Sequence, residues 1–179
     1  MICAKNVFFI PALSFLVAVT LAQGAFAADP VTLNITGNVV ASPCEVNPES
    51  KNIDVDLGQD LQTSALNGAG SSSDWKPINV ILENCPAGTS SVTATFNGTA
   101  DAGDPETLYV NTGTATNVAV QLEGLTSEPY GNGKTSTIQV ADAADGKPTW
   151  KLQTRAFSKT GNVTPGSISS VITMSFAYN

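Results

Sequence analysis

Residues 29–40 decide the fold and read D-P-V-T-L-N-I-T-G-N-V-V. Small polar residues alternate strictly with a second row that consists of Val31, Leu33, Ile35, Gly37 and Val39. Because successive side chains of a strand point to opposite faces, this alternation predicts a strand with one apolar face. A long alternating strand near a terminus has to pair either with its own domain or with another chain. The rest of the sequence favours pairing with another chain.

Residues 1–27 have the pattern of a secretory signal peptide. One early positive charge, Lys5, precedes an apolar run over residues 7–21, and the segment ends in a small-x-small triplet, A-F-A. The run is interrupted by a proline and a serine and is short for a membrane span, which needs about 20 apolar residues. We expect cleavage after Ala27, followed by export. An uncleaved membrane anchor is the alternative.

The size and charge of the exported chain limit the classes of protein it can belong to. Removing 27 of 179 residues leaves 152, which is a normal length for one domain with its own core. Losing Lys5 leaves seven basic against fifteen acidic residues and a formal charge of −8. An acidic balance argues against nucleic acid and anionic membrane surfaces as partners. No stretch after the signal is long and apolar enough to predict a membrane span.

The cysteine count predicts a disulfide. Cys3 leaves with the signal, so the exported chain keeps only Cys44 and Cys85. A single pair in an exported protein most simply bonds, and it would close a large loop worth roughly 4 kcal/mol in the chain-entropy model. Zinc binding by this pair is the alternative, and it would need further ligands in a chain without histidine.

Short alternating segments follow along the chain and predict strands. The apolar residues of these segments are Ile53, Val55, Leu57; Ile78, Val80, Leu82; Val118, Val120, Leu122; Ile138, Val140; and Trp150, Leu152. A Thr/Val-rich strand is also expected over residues 90–96, ending in a turn at Asn97-Gly98. Glycine, proline, asparagine and aspartate separate the segments, with loops expected at 67–74 and 129–133. The absence of a sustained helical period predicts a β-sandwich, with helix confined to a turn or two near residues 60–67.

The C-terminal segment reads as a core strand. Gly166 is followed at every second position by a row that becomes apolar and aromatic, namely Ile168, Ser170, Ile172, Met174, Phe176 and Tyr178. If no later strand covers its free side, the sandwich has a hydrophobic groove beside an unpaired sheet edge. The alternative is that an earlier strand covers the groove, and the pattern alone does not choose between the two.

No catalytic constellation is present in the sequence. Histidine, the commonest general base, is absent, and neither a G-x-S-x-G motif nor a phosphate-binding loop occurs. Asp54 and Asp56 form a D-x-D pattern, but strand alternation places both on a solvated face rather than around a metal. Asp101, Asp104 and Glu106 lie close together in a Gly/Pro turn, where solvated carboxylates are expected. We therefore expect no enzyme activity, cofactor or metal.

Five features of the sequence resemble the subunits of chaperone–usher fimbriae, in particular minor tip pilins of type 1 fimbriae of the FimG-like kind. The leader runs into A-S-P-C at Cys44, and E-N-C-P-A-G-T-S follows at residues 83–90. F-N-G-T-A-D occurs at 96–101 and N-T-G-T-A-T-N at 111–117. The tail has a glycine fourteenth from the end, Gly166, and a penultimate aromatic residue, Tyr178. The resemblance extends over essentially the whole exported chain.

The resemblance implies an all-β, incomplete immunoglobulin-like sandwich that lacks its seventh strand and is completed by donor-strand complementation. It implies three segments: a signal peptide at 1–27, a donor-strand extension at 28–40 and a pilin domain at 41–179. The donor residues would be Val31, Leu33, Ile35, Gly37 and Val39. The groove and chaperone-binding strand would comprise Gly166, Ile168, Ile172, Met174, Phe176 and Tyr178. The implied partners are a periplasmic pilus chaperone, an outer-membrane usher and neighbouring fimbrial subunits, among which the tip adhesin is one candidate.

Two alternative functions remain open from the sequence. A repeating major pilin would use the same mechanism in many copies, and copy number leaves no mark in a sequence. A secreted carbohydrate-binding module would need an aromatic platform, for which Trp75 and Trp150 are the candidates, although both fit core or edge packing better. The resemblance favours a minor subunit that is exported through the periplasm to a cell-surface fimbrium.

Overall fold

The computed structural model describes residues 31–179. The predicted signal peptide and residues 28–30 lie outside the described residues. The chain divides into one unit up to Gly37 and a second, Asn38–Asn179. Within the described part of the first unit, residues 31–37 form no strand or helix.

Nine strands make up the second unit as far as the structure describes it. In chain order they are β1 (Glu45–Val46), β2 (Ser71–Ser72), β3 (Lys76–Glu83), β4 (Ser91–Gly98), β5 (Leu108–Val110), β6 (Ala119–Gly124), β7 (Thr135–Gln139), β8 (Thr149–Ser158) and β9 (Ile172–Tyr178). Helical structure in this part is limited to short 3-10 turns at Pro48–Ser50, Thr63–Leu66, Val140–Asp142 and Ala144–Gly146. The predicted all-β architecture is confirmed, and one turn falls where helix was expected, near residues 60–67.

The strands form two sheets, all of whose pairs are antiparallel. The larger sheet has the order β1-β3-β8-β6-β5, with β2 pairing with β8 beyond the start of β3. The smaller sheet has the order β7-β4-β9, so that β4 is central and the C-terminal strand β9 is an edge. Non-sequential neighbours such as β3 and β8 give the long-range pairing typical of immunoglobulin-like sandwiches.

The core lies between the two sheets and follows from the alternation of the central strands. In β8, the inward row Trp150, Leu152, Thr154 and Ala156 is buried while the intervening residues are half-buried or exposed. In β4, Val92, Ala94 and Phe96 are fully buried on the facing sheet. Full burial of a large apolar side chain stabilises the fold by about 1.5–3 kcal/mol, so these two rows supply much of the stability.

The disulfide between Cys44 and Cys85 is present, which confirms the sequence prediction. It joins the chain just before β1 to the chain just after β3, and β1 pairs with the end of β3 through Val46 and Leu82. Cys44 is buried and packs in the main core. The bond therefore fixes the point at which the N-terminal segment enters the sandwich.

The predicted turn at Asn97-Gly98 is wrong, because both residues lie inside β4 and pair with β9. Gly98 is needed for packing instead. A Cβ atom there would lie 2.7 Å from two ring atoms of Tyr109, closer than real Cβ contacts come. Tyr109 is fully buried and its hydroxyl donates to the carbonyl of Tyr130 at 2.7 Å, so the ring has a fixed position. Tertiary packing therefore overrides the local turn signal.

Two further local predictions need correction. The alternating residues Ile53, Val55 and Leu57 do not form a strand, since no described strand lies beside them to complete a ladder. Conversely, the loop expected at 67–74 contains β2. This short strand pairs with the end of β8, next to the part of β8 that pairs with β3. The sequence prediction also missed β5, a three-residue edge strand too short to show periodicity.

Candidate functional site: an open groove beside the last strand

The side chains of β9 alternate between the core and solvent. Ile172, Met174, Phe176 and Tyr178 are half-buried and pack against the main core, whereas every intervening residue is exposed. Phe176 also contacts Trp150 of the opposite sheet, with ring centroids 5.3 Å apart. The described residues therefore cover these four side chains only in part.

The main chain of β9 is paired on one side only within the described residues. Asn179, directly after β9, donates its N–H to the carbonyl of Ser91 in β4 at 3.0 Å and accepts the N–H of Ser91 at 3.2 Å. In an antiparallel ladder hydrogen-bonded pairs alternate with non-hydrogen-bonded pairs, so the odd-numbered residues from 173 to 179 bond to β4. The N–H and C=O groups of residues 172, 174, 176 and 178 therefore face away from β4. No described strand pairs with that edge.

A groove of about 1140 Å³ runs beside this free edge. Its floor is formed by inward side chains of the larger sheet, namely Ile78, Val80, Val120, Leu122, Leu152 and Thr154. One wall is the C-terminal segment, which contributes Gly166, Ile168, Ile172, Met174 and Phe176. The structure thus brings together five of the six residues that the sequence assigned to the groove strand.

Tyr178, the sixth residue, does not line the groove and lies beside Cys44, near the start of the domain. Its hydroxyl donates to the carbonyl of Cys44 over 3.5 Å, and burial raises the pKa of the phenol. The hydroxyl of Thr89 donates to the carbonyl of Ser42 at 3.0 Å. Together with the disulfide, these contacts hold the start of the domain beside the end of β9.

The other wall of the groove is the segment 50–61, which includes the expected strand residues Ile53, Val55 and Leu57. The segment is fixed locally rather than by a ladder. The carboxylate of Asp56 accepts the N–H of Gly58 at 2.9 Å and the side chain of Gln59 at 2.8 Å, and both bonds lower the pKa of that carboxyl. Asp54 and Asp56 are exposed, as the alternation predicted.

The N-terminal segment presents its apolar row to solvent in the single chain. Val31, Leu33, Ile35 and Val39 are each at least 79% exposed, and a Cβ atom on Gly37 would meet no atom within 4 Å. Large apolar side chains that are exposed at regular spacing are typical of a segment that binds another surface. The expected strand of residues 31–39 is therefore unpaired here.

The residues considered for other chemistry are engaged elsewhere. Trp150 is buried in the core, and the face of Trp75 is covered by the guanidinium of Arg155, 4.0 Å from the ring centroid. The carboxylate of Asp101 accepts the N–H of Gly103 within its turn, and Glu106 pairs with Lys134. None of the helices within residues 31–179 could cross a membrane, and this region holds no cluster of three or more ligand side chains suited to a metal.

Comparison with known proteins places this geometry in a family. The family model described as "Fimbrial protein" matches residues 33–179. The protein FimG of Escherichia coli K12 is 39% identical over 159 residues, covering 89% of this chain and 91% of FimG. The S-fimbrial adhesin protein SfaS of Escherichia coli O6:K15:H31 is 39% identical over 170 residues, covering 90% and 97% of the two chains. The chain belongs to the fimbrial protein family.

Solved structures agree with this assignment. A chain from a chaperone–usher pilus, solved to explain how its rod uncoils, matches with a TM-score of 0.63 and 25% identity, covering 90% of this chain and all of that chain. This chain is accordingly a structural subunit of a chaperone–usher fimbria with an immunoglobulin-like fold. Its relatives are fimbrial subunits rather than enzymes.

Proposed function

We propose that this subunit polymerises by exchanging strands with its neighbours at both ends. Its residues 29–40 insert into the groove of one neighbouring subunit, and its own groove receives the equivalent strand of the next. The single observation that carries the proposal is that no strand within residues 31–179 pairs with the outer edge of β9, which borders an apolar groove, in a chain whose exposed leader has the matching alternation. Strand addition to a free sheet edge satisfies the backbone and fills the pockets at once.

The magnitudes favour a tight complex. Burying Val31, Leu33, Ile35 and Val39 would contribute roughly 6–12 kcal/mol before costs, at about 1.5–3 kcal/mol for each side chain. Each new ladder hydrogen bond adds about 0.5–1.5 kcal/mol net. Ordering the extended leader subtracts part of this gain. Gly37 suits a point where the groove leaves no space for a side chain.

The free edge supports a need for protection before assembly. An apolar row beside unpaired backbone groups promotes aggregation in any compartment where subunits accumulate. A periplasmic chaperone that lends a strand, followed by an outer-membrane usher that catalyses the exchange, would prevent this. The signal peptide expected at 1–27 would deliver the chain to the periplasm, and the assembled fimbrium would place it at the cell surface.

We assign the subunit to the fimbrial tip as a minor adaptor rather than to the repeating shaft. The FimG-like motifs and the 39% identity to FimG support this assignment. Immunogold labelling of intact fimbriae tests it directly, since a tip adaptor gives one labelled end for each fibre. Gold particles spaced regularly along the shaft would instead identify a repeating pilin.

A peptide experiment tests strand insertion. A synthetic peptide of residues 29–40 should bind the chain and raise its melting temperature. Leu33→Asp in the peptide should abolish binding, because the charge would enter the apolar groove without a partner. Thr32→Asp is the matched control, since it carries the same charge on the opposite, solvent-facing row, and it should bind nearly as well as the unaltered peptide. Equal binding of the two aspartate peptides would contradict insertion.

A further inference from the structure

The chain before β9 is held by a loop rather than by a strand. This loop comprises residues 111–115 and follows β5 directly; we call it the clip loop. Ser169 donates its N–H to Oδ1 of Asn111 at 2.8 Å, and its carbonyl accepts the N–H and hydroxyl of Thr112 at 2.8 and 3.0 Å. Ser167 donates its N–H to the hydroxyl of Thr114 at 2.9 Å. The N–H and C=O groups of Ser169 and the N–H group of Ser167 are thus all bonded to this loop.

The fit between the clip loop and this segment is close. The carbonyl of Ser167 also accepts from the N–H of Ala115 at 3.1 Å and from Nδ2 of Asn111 at 3.3 Å. A Cβ atom on Gly113 would lie 2.1 Å from that carbonyl oxygen, and one on Gly166 would lie 2.4 Å from the Ala115 nitrogen. Both glycines are therefore required for the two segments to approach, which gives the N-T-G-T-A motif a physical role.

The clip loop binds the same alternate positions that β4 binds farther along. It uses residues 167 and 169, and β4 uses the odd-numbered residues from 173 to 179. In an extended chain the intervening residues 168 and 170 would turn their N–H and C=O groups toward the groove side, in phase with the free edge of β9. Ile168 is half-buried, lines the groove and packs against both apolar clusters of the domain, so its side chain continues the inward row.

Strand lengths give this extension a purpose. The alternating row of the leader, positions 31–39, spans nine residues, or roughly 30 Å of strand at about 3.3 Å per residue. Strand β9 contains seven residues and is too short to pair with the whole row. We infer that the clip loop, with Asn111 as its central positioning residue, extends the acceptor edge through Ile168 and Ser170 so that a full-length donor strand can pair. This inference rests on the proposed strand insertion.

The test measures where along the donor strand the clip loop acts. The acceptor is the full chain, isolated in complex with a fluorescent peptide of residues 29–40, and dissociation rates are compared for three peptides: unaltered, Val31→Thr and Val39→Thr. Each substitution places a hydroxyl in an apolar position at one end of the row and should speed dissociation roughly tenfold from the unaltered chain. The acceptor variants are Asn111→Ala and Thr114→Val, which remove contacts to residues 167 and 169.

Thr116→Val is the matched control, because the Thr116 hydroxyl bonds to Thr164 and not to Ser167 or Ser169. With the Asn111→Ala and Thr114→Val acceptors, one of the two peptide substitutions should no longer speed dissociation. The substitution at the other end of the peptide should still speed it about tenfold. Amide exchange of Ser169 should quicken in Asn111→Ala only. Thr116→Val should behave like the unaltered chain. The near-isosteric Thr114→Val retains the test if Asn111→Ala does not fold.

Two outcomes separate the inference from the function on which it rests. If Asn111→Ala and Thr114→Val weaken all three peptides by the same factor, or leave both end effects intact, the clip loop is only a structural support and the inference is overturned. If the unaltered peptide fails to bind the unaltered chain, strand insertion itself is wrong. Loss of the effect at one end only, in both variants and not in Thr116→Val, supports the positioning role.

Discussion

Replacing Gly98 with alanine tests how closely β4 packs against Tyr109 of the opposite sheet. The added Cβ would lie 2.7 Å from Cδ1 and Cε1 of Tyr109 and 3.1 Å from the carbonyl oxygen of Val171, where ordinary contacts are 3.4–4 Å. The Tyr109 ring cannot easily retreat, because it is fully buried and its hydroxyl is bonded to the Tyr130 carbonyl. The substitution therefore forces overpacking in the core.

Overpacking of this kind costs about 1–3 kcal/mol, which exceeds the few tenths to 1 kcal/mol that alanine gains over glycine in a strand. For a domain of this size, each kcal/mol lowers the melting temperature by about 2–4 °C. We expect Gly98→Ala to melt roughly 2–10 °C lower when both proteins carry a complementing strand. Gly68→Ala is the control, since a Cβ there meets no atom within 4 Å, and it should be neutral or slightly stabilising.

A double-mutant cycle with Tyr109→Leu completes the test. If the clash with the ring causes the loss, Gly98→Ala should cost little in the Tyr109→Leu background, giving a coupling of about 1 kcal/mol or more. Equal costs in both backgrounds, or a cost no larger than that of Gly68→Ala, would refute the packing explanation. Chemical unfolding with urea provides a second estimate of each difference in the free energy of unfolding.

Three further predictions follow from the disulfide, the leader and a buried phenol. Denatured, unreduced protein should label at neither Cys44 nor Cys85, and stoichiometric labelling of both would contradict the bond that closes the 41-residue separation. Gly37→Leu in a leader peptide should slow or block insertion into a neighbouring subunit, whereas equal exchange rates for the two peptides would show that the glycine has no steric role. Burial raises the pKa of Tyr109 to about 12, so the folded state favours the neutral phenol. The stability that this preference provides is complete below the ordinary value near 10 and falls, by at most about 2 kcal/mol, as the pH rises to 12. Tyr109→Phe should flatten this part of a stability–pH curve, and an unchanged slope would show that other groups cause it.

The strands that could be predicted from the sequence are those whose alternation agrees with their packing. Central strands β3 and β8 bury one face more than the other, so period-two patterns such as Ile78, Val80 and Leu82 identify them. The Cys44–Cys85 bond followed from a cysteine count. The C-terminal strand was predicted in the same way from Gly166 onward, but only Ile172–Tyr178 form β9, because a loop rather than β4 bonds to residues 167 and 169. The row of β9 lines the groove because no described strand lies beyond it.

The features that sequence reasoning missed depend on distant partners. Gly98 sits in a strand because Tyr109 occupies the space where a side chain would go, and no local pattern encodes that contact. The alternation at Ile53, Val55 and Leu57 is typical of a strand, yet a ladder needs a partner, and none of the described strands pairs with these residues. The clip loop was visible only as a family motif. Its contacts to Ser167 and Ser169 bridge more than 50 residues of sequence.

Strand complementation within one chain is the most direct test of the open groove. A copy of residues 29–40 is fused behind Asn179 through a short flexible linker, and the original leader is deleted, so that insertion becomes intramolecular at high effective concentration. A second fusion with Leu33→Asp in the copied strand is the control. Thermal unfolding and sedimentation are then measured for both fusions and for the unmodified chain from residue 28. We predict that the first fusion is a monomer that melts far above the other two proteins. An unmodified chain that stays monomeric with an equally high, single cooperative transition would contradict the missing strand.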